Sequence, residues 1–173
     1  MTTVNLQDWI GKTEERNDLL TAFPANAMAA TLNHEQINYS ANKNLPPLWH
    51  WLFFLPIFKL SEAGYDGHAA LGDFLPPVKL PRRMWAGSRI QFLEPLKIGH
   101  EYKKTSTIKN VMAKSGRSGE LVFVTVSHEV SNGSRICINE EHDIVYREKA
   151  TTNSEAPKLV EAPQKFDFSI DMN

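Results

Sequence analysis

Asp66 and His68 stand two residues apart in the segment GYDGHAALGDFLPP, residues 64 to 77, and form the sharpest chemical pair in the chain. A carboxylate beside an imidazole can hold the tautomer of the ring, or the two groups can jointly activate a water molecule. The same spacing is common in loops, where the Asp caps a turn and the His is a polar loop residue. The pair is therefore a catalytic candidate with a structural alternative, and both interpretations stay open.

His50 is the one polar member of the apolar run LPPLWHWLFFL. A histidine among aromatic side chains can act as a base in an apolar pocket. More often such a residue is a core histidine that is hydrogen-bonded to the backbone. His50 is thus a second candidate, again with a structural alternative.

The segment LPRRMWAGSR places Arg82, Arg83 and Arg89 around Trp85. Arginines beside an aromatic ring can hold a phosphate or stack on an adenine. An ordinary basic surface with Trp85 packed inward is at least as good an interpretation.

Other chemical signals in the chain are weak. The six histidines and the single cysteine, Cys137, show no metal-ligand spacing, and no nucleotide motif or nucleophile elbow is present. We therefore predict no metal and no cofactor. His128 continues an alternating valine face and is interpreted as structural.

The elements that must position these residues fall into two halves. Residues 1–34 are predicted to be helical, and the run from Leu48 to Leu55 is predicted to be a helix enclosed on all sides. Residues 61–87 are rich in Gly and Pro and predict a long ordered loop. From Ser88 onward, alternating valines and isoleucines and the Asn132–Gly133 turn signal predict an antiparallel meander of at least three long strands.

Bulk properties place the chain among ordinary globular proteins. With 173 residues it fits one domain, assigned to residues 1–148, and residues 149–173 are predicted to be a flexible tail. A net charge of -1 gives no sign of nucleic-acid or membrane attraction. The N-terminus lacks the pattern of a targeting segment, and one cysteine suits a reducing cytoplasm, so a cytoplasmic location is predicted.

An apolar helix followed by a long antiparallel sheet favours an α+β hot-dog fold, in which the sheet curls around the long helix from Leu48 to Leu55. The alternative is an α+β sandwich with a helix on one face. The motifs LPPLWHW, DGH, GDFLPPVKLPRRMWAGSRIQF, KSGRSGELVFVTVSHE and EEHDIVYRE together resemble the N-terminal half of MaoC-type hydroxyacyl-thioester dehydratases. The similarity is strongest to mesaconyl-CoA hydratase-like and mitochondrial 3-hydroxyacyl-thioester dehydratase-like members, and it runs from about Trp9 to Glu148.

The resemblance implies a hot-dog fold and a role in reversible water addition to a 2,3-enoyl thioester of CoA or acyl-carrier protein. In the complete members the second half carries the catalytic pair, an Asp five residues before a His. This chain contains no Asp-x-x-x-x-His motif, and Asp66 and His68 match the DGH of the first half. The chain is therefore expected to supply the acyl pocket while a partner MaoC-like chain supplies the catalytic Asp and His.

The loop from Gly64 to Gly87 is expected to border the thioester channel, with Lys79, Arg82 and Arg83 near CoA phosphates. The expected substrate-binding residues are Trp49, His50, Phe54, Asp66, His68, Arg82, Arg83, Trp85 and Gly87. Two alternatives remain: a self-sufficient homodimeric hydratase or thioesterase that uses Asp66 and His68, and a module that binds an acyl thioester without chemistry.

Overall fold

The computed structural model describes residues 5–35, 38–116 and 119–149, so the predicted tail lies outside the described residues apart from Lys149. The strands are β1 (Thr13–Leu19), β2 (Arg82–Phe92), β3 (Glu101–Gly116), β4 (Gly119–Ser131) and β5 (Ile136–Arg147). They form one antiparallel sheet in the order β1-β3-β4-β5-β2. An α-helix, α1, spans Ala22–Thr31, and short 3-10 turns span Leu6–Trp9, Trp49–Leu52 and Leu60–Glu62.

The predicted meander is confirmed in the three longest strands. Alternating valines of β4 lie on the covered face of the sheet, because successive side chains of a strand point to opposite faces. The Asn132–Gly133 turn joins β4 to β5 as predicted. The Asn132 side chain accepts the backbone N–H groups of Ser134 at 3.2 Å and Arg135 at 2.9 Å, and Gly133 adopts a φ of 92° that suits glycine.

The prediction that residues 1–34 are helical is wrong for residues 13–19. Thr13–Leu19 form strand β1, in which half-buried and exposed side chains alternate. This strand pairs with β3 along its whole length, from Thr13 opposite Thr107 to Leu19 opposite Glu101. The edge of β3 thus offers β1 hydrogen-bond partners that local helix preference does not take into account.

The predicted helix from Leu48 to Leu55 is also wrong, because only Trp49–Leu52 form a 3-10 turn. Leu48 and Phe54 have left-handed backbone angles, with φ of 70° and 57°, which stop a helix on both sides. The Phe54 N–H donates to the Asp18 carboxylate at 2.7 Å, and the Phe54 carbonyl accepts from Arg16 at 3.3 Å. Contacts with β1 therefore hold this segment in an irregular path.

Helix α1 takes the place of the predicted helix against the sheet. Its fully buried Ala25 and Ala29 pack with residues of the sheet face such as Tyr102, Val130 and Ile138. The architecture remains an antiparallel sheet with a helix on its covered face, as the hot-dog prediction requires, although the helix is short and lies elsewhere in the chain.

The predicted loop 61–87 is shorter than expected, because β2 already begins at Arg82. A second apolar cluster lies beneath this loop, where Val78 and Leu80 pack against the sheet residues Val124 and Tyr146. Within the ranges that the structure describes, no helix is long and apolar enough to cross a membrane.

Candidate functional site

A band of polar side chains crosses the covered face of the sheet. Strand register aligns Ser106, His128 and Glu140 on the neighbouring strands β3, β4 and β5. The band lies between the apolar cluster beneath α1 and the one beneath the loop that precedes β2. Since burying polar groups is costly unless they are hydrogen-bonded, such a band indicates either a satisfied network or a functional site.

Glu140 is the centre of this band and is 4% exposed. Its Oε2 atom lies 3.1 Å from His50 Nε2, and its Oε1 atom accepts from Ser88 Oγ at 3.3 Å and from His142 Nε2. The Trp51 indole N–H donates to both oxygens, at 3.1 and 3.2 Å. We call these five residues the Glu140 cluster.

The Glu140 cluster keeps its carboxylate charged. Burial would raise the pKa of the Glu140 carboxyl, but the hydrogen bonds from His142, His50 and Trp51 outweigh burial and hold that pKa well below its usual range. An ionised carboxylate only accepts hydrogen bonds, so the Nε2 atoms of His50 and His142 both carry a hydrogen.

His50 is 3% exposed, and its Nδ1 atom has no hydrogen-bond partner among the described residues. The partner of its Nε2 atom is the Glu140 carboxylate of β5 rather than the backbone group expected of a core histidine. In the neutral ring, Nδ1 is an acceptor, because the hydrogen sits on Nε2. The ring therefore leaves its Nδ1 atom without a partner in a buried setting.

His128 lies beside this cluster. Its Nδ1 atom is 2.8 Å from Ser106 Oγ, and its ring centroid is 4.8 Å from that of His142. Burial lowers the pKa of His128 to about 3, and the neighbouring His142 and Lys104 add to the effect. The structure thus places a histidine that was interpreted as structural in the wall of a small cavity.

His128→Gln is expected to make the fold less sensitive to acid. The folded state keeps this imidazole neutral, so stability is full above the ordinary His pKa of about 6.5 and falls as the pH drops toward the folded value. Between about pH 7.5 and about pH 5.5 this group removes about 1.4 kcal/mol of unfolding free energy. Urea unfolding at both pH values measures how much the free energy of unfolding falls between them. The fall should be larger in the wild type than in the variant by this amount. Equal drops would contradict a buried, neutral His128.

Two cavities adjoin the cluster, and His50 lines both. The larger is a cleft of about 640 Å³ with mainly apolar walls, lined by Tyr39, Lys43, Asn44, Leu45, Pro46, Pro47, His50, Phe92, Leu93, Glu94, Pro95, Leu96 and Ile138. The smaller measures about 140 Å³ and is lined by Arg16, His50, Trp51, Phe53, Phe54, Leu55, Pro56, Lys104, His128, Glu140 and His142. Both spaces have mainly apolar walls, and charged and imidazole side chains enter the wall of the smaller one.

Asp66 and His68 lie elsewhere and line neither cavity. The Asp66 Oδ1 atom accepts the backbone N–H of His68 at 3.2 Å, which is the geometry of a turn closed by an Asp side chain. Arg83 Nε donates to the other carboxylate oxygen at 3.0 Å, and Arg83 Nη2 lies 2.8 Å from the same oxygen as an ion pair. The His68 side chain is 72% exposed, so the pair is part of a loop surface.

The remaining predicted residues lie either near the two cavities or on the edge strand β2. Phe54 joins His50 at the smaller cavity, while Trp49 packs against Tyr39 with ring centroids 5.2 Å apart. The edge strand β2 carries exposed Arg82 and Trp85, and Trp85 is 63% exposed. Gly87 follows a shift in the register between β2 and β5.

Sequence reasoning missed Glu140 and His142. A signal was present, since these two residues continue the face of β5 that Ile138 and Ile144 predict to be covered. Charged residues at inward positions of a strand are rarely buried without partners. Although the cluster is rich in histidine, no group of three His, Cys, Asp or Glu side chains in the described parts of the chain is arranged to hold a metal ion.

Comparisons with known proteins bear on the family and the fold of this chain. A family model, hydroxyacyl-thioester dehydratase type 2, matches residues 48–173. Mesaconyl-C(4)-CoA hydratase of Chloroflexus aurantiacus is 44% identical over 167 residues, which cover 96% of this chain and 59% of that protein. The chain therefore spans little more than half the length of this relative.

Among solved structures, the ChsH1-ChsH2 complex from Mycobacterium tuberculosis is similar, with a TM-score of 0.60 and 13% identity. The match covers 85% of this chain and 90% of that chain, and at this identity it bears on the fold alone. The hot-dog fold and the family resemblance predicted from the sequence motifs are confirmed.

Proposed function

The chain belongs to the hydroxyacyl-thioester dehydratase type 2 family, and we propose that it takes part in reversible hydration of a 2,3-enoyl thioester to a 3-hydroxyacyl thioester. The observation that carries the proposal is the 44% identity to mesaconyl-C(4)-CoA hydratase over 96% of this chain. The chain covers 59% of that relative, and the role that we propose for it is that of a subunit in a hydro-lyase.

Hydration of an enoyl thioester needs three contributions from the protein. An acid–base group must activate water and protonate the α carbon, donors must stabilise the developing enolate oxygen, and a pocket must align the acyl chain. The apolar cleft of about 640 Å³ suits the third contribution. We therefore assign acyl binding to this chain, with His50 in the wall of the cleft and Phe54 in the adjoining smaller cavity.

The catalytic Asp and His are proposed to come from a partner MaoC-like chain. The sequence lacks the Asp-x-x-x-x-His motif, and His68 and Asp66 line neither described cavity. Edge strand β2 is a suitable docking edge, because it leaves one side of its backbone unpaired within the sheet. It also exposes Met84, Trp85 and Phe92, each with more than two fifths of its surface accessible.

For the CoA moiety we propose contacts with Arg82 and Lys79, and with Trp85 as a stacking surface for the adenine. Arg83 is engaged with Asp66, so we assign it to holding the loop that precedes β2. The proposal allows either CoA or acyl-carrier protein as the carrier of the acyl group. It also includes a cytoplasmic location. The buried free thiol of Cys137 suits a reducing compartment.

The test is co-expression of this chain with a MaoC-like chain that carries the missing motif, followed by a crotonyl-CoA hydration assay. We expect turnover from the pair and none from this chain alone, and His68→Ala should leave the activity of the pair within about twofold. Turnover by this chain alone that His68→Ala abolishes would instead establish a self-sufficient hydratase or thioesterase. Tight thioester binding without turnover by the pair would indicate a binding module.

A further inference from the structure

Residues 55–65 form an exposed apolar segment, which we call the arm. Four of its large side chains stand mostly in water, with exposed fractions of 63% for Leu55, 100% for Ile57, 92% for Leu60 and 78% for Tyr65. Single exposed apolar side chains are common on protein surfaces and need no explanation. Four in one short segment are typical of a surface that another molecule covers.

The arm is anchored at both ends to the sheet. Before it, the Phe54 N–H donates to the Asp18 carboxylate of β1 at 2.7 Å. After it, the Asp66 carboxylate accepts from Arg83 Nε of β2 at 3.0 Å. Strands β1 and β2 are the opposite edges of the sheet, about 19 Å apart at the usual strand spacing. The arm therefore crosses the sheet from one edge to the other.

Backbone hydrogen bonds fix the path of the arm. The Lys59 carbonyl accepts the Glu62 N–H at 2.8 Å, and the Leu60 carbonyl accepts the Ala63 N–H at 3.1 Å. The Glu62 carbonyl in turn accepts the Ala70 N–H at 3.0 Å. An apolar surface that is already ordered loses little conformational freedom when a partner binds to it.

The arm begins at the smaller cavity. Leu55 and Pro56 line this cavity together with Glu140 and His142 of β5. A molecule that covers the arm would therefore also lie next to the Glu140 cluster.

The charge of the arm limits what covers it. Lys59 and Glu62 are its two charged residues, and their charges cancel. Anionic membranes and nucleic acids attract segments with an excess of basic residues, so neither is favoured here. An uncharged apolar surface of another protein is the complementary occupant.

The position of the arm favours the partner chain of the proposed function as this occupant. The arm ends beside Arg83 of β2, the strand that we assign as the docking edge, so one partner can cover both. About two fifths of mesaconyl-C(4)-CoA hydratase lies outside the match to this chain, which is enough for a further domain of that protein.

We propose that the arm is a docking surface for the partner MaoC-like chain, which buries Ile57 and Leu60 in an uncharged apolar groove beside β2. This inference rests on the proposed function, since that function supplies the partner. It adds the side chains that hold the two chains together.

The test uses the Ile57→Ser/Leu60→Ser double variant of the full chain and the same MaoC-like partner. Both side chains are already in water in the isolated chain, so its Tm should match that of the wild type. The Kd of the complex, measured by isothermal titration calorimetry, should rise at least tenfold. Phe23→Ser is the matched control, because Phe23 is 80% exposed on α1, outside the arm, and it should leave the Kd unchanged.

The outcomes separate this inference from the proposed function. An unchanged Kd in the double variant, or an equal rise in Phe23→Ser, would overturn the docking surface, while crotonyl-CoA hydration by the wild-type pair would keep the proposed function standing. A wild-type pair with neither complex nor turnover would overturn both.

Two further measurements identify a different occupant. A wild-type homodimer in sedimentation that the double variant dissociates would assign the arm to a second copy of this chain and overturn the inference. Binding to vesicles of phosphatidylcholine and phosphatidylserine that the double variant loses would assign the arm to a membrane, with the same consequence.

Discussion

Glu140→Ala is expected to lower the free energy of unfolding by about 3 to 5 kcal/mol. The substitution removes the acceptor of four side chains and would leave His50 with a buried donor and Ser88 with a half-buried one, both without a partner. The loss is larger than that of an ordinary hydrogen bond because unpaired groups in a buried setting keep their full desolvation cost. Urea denaturation followed by tryptophan fluorescence measures it, since Trp51 is part of the network.

Glu141→Ala is the matched control for this prediction. Glu141 is the next residue in sequence, but its side chain points to the other face, where it pairs with Arg89 and Lys109 near solvent. Exposed ion pairs contribute about 0 to 1 kcal/mol, so a small loss is expected. Similar losses in the two variants would contradict a buried Glu140 network.

The contribution of Glu140 should also depend on pH. Its folded pKa is depressed, so the stabilisation is present above the ordinary Glu range and is lost as the pH falls below that range. The gap in unfolding free energy between wild type and Glu140→Gln is therefore expected to be full at neutral pH and to narrow in acid.

Arg83→Met is expected to lower the free energy of unfolding by about 2 kcal/mol, which lies between the values for exposed and buried ion pairs. The Arg83 and Asp66 side chains are 12% and 25% exposed, and removal of the guanidinium leaves the carboxylate with the backbone N–H of His68 and the His68 ring at 3.7 Å. Met keeps most of the volume of the arginine stem, so the loss reflects the ion pair. Denaturant unfolding of Arg83→Met, Asp66→Asn and the double variant gives the coupling energy directly.

This cycle also tests the predicted chemistry of the loop. If Asp66 acts by pairing with Arg83, the double variant should lose much less than the sum of the two single losses, and His68→Ala should leave stability unchanged. Additive losses would show that the two residues act independently. Activity of the co-expressed pair that depends on His68 but not on Arg83 would favour the catalytic interpretation of the loop.

The location of the polar cluster shows the limit of local sequence reasoning. Glu140 and His50 are separated by 90 residues; His50 sits in an apolar run, whereas Glu140 sits in the polar stretch NEEHD of β5. Alternation along β5 was enough to show that Glu140 and His142 share the covered face with Ile138. It was not enough to show which donors meet the carboxylate, because three of the four come from a 3-10 turn and an edge strand.

The apolar run near His50 illustrates the same limit. Its composition predicted burial, and Phe53 and Phe54 are indeed 5% and 3% exposed. Composition did not predict its path, because the backbone is held by Asp18 and Arg16 of β1, which local propensity also assigned wrongly. Strand β1 forms because the edge of β3 offers it backbone hydrogen-bond partners, and these partners are present only in the tertiary structure.

What the sequence by itself determined is the part of the protein in which neighbours along the chain are neighbours in space. The meander from β3 to β5, its hairpin turn and the family motifs follow from alternation and turn chemistry within short segments. The tertiary structure alone decided which helix covers the sheet, where His50 meets Glu140, and that Arg16 and Lys104 share a cavity. These contacts join strands and turns that are far apart in sequence, so they stabilise the protein only once the chain is folded.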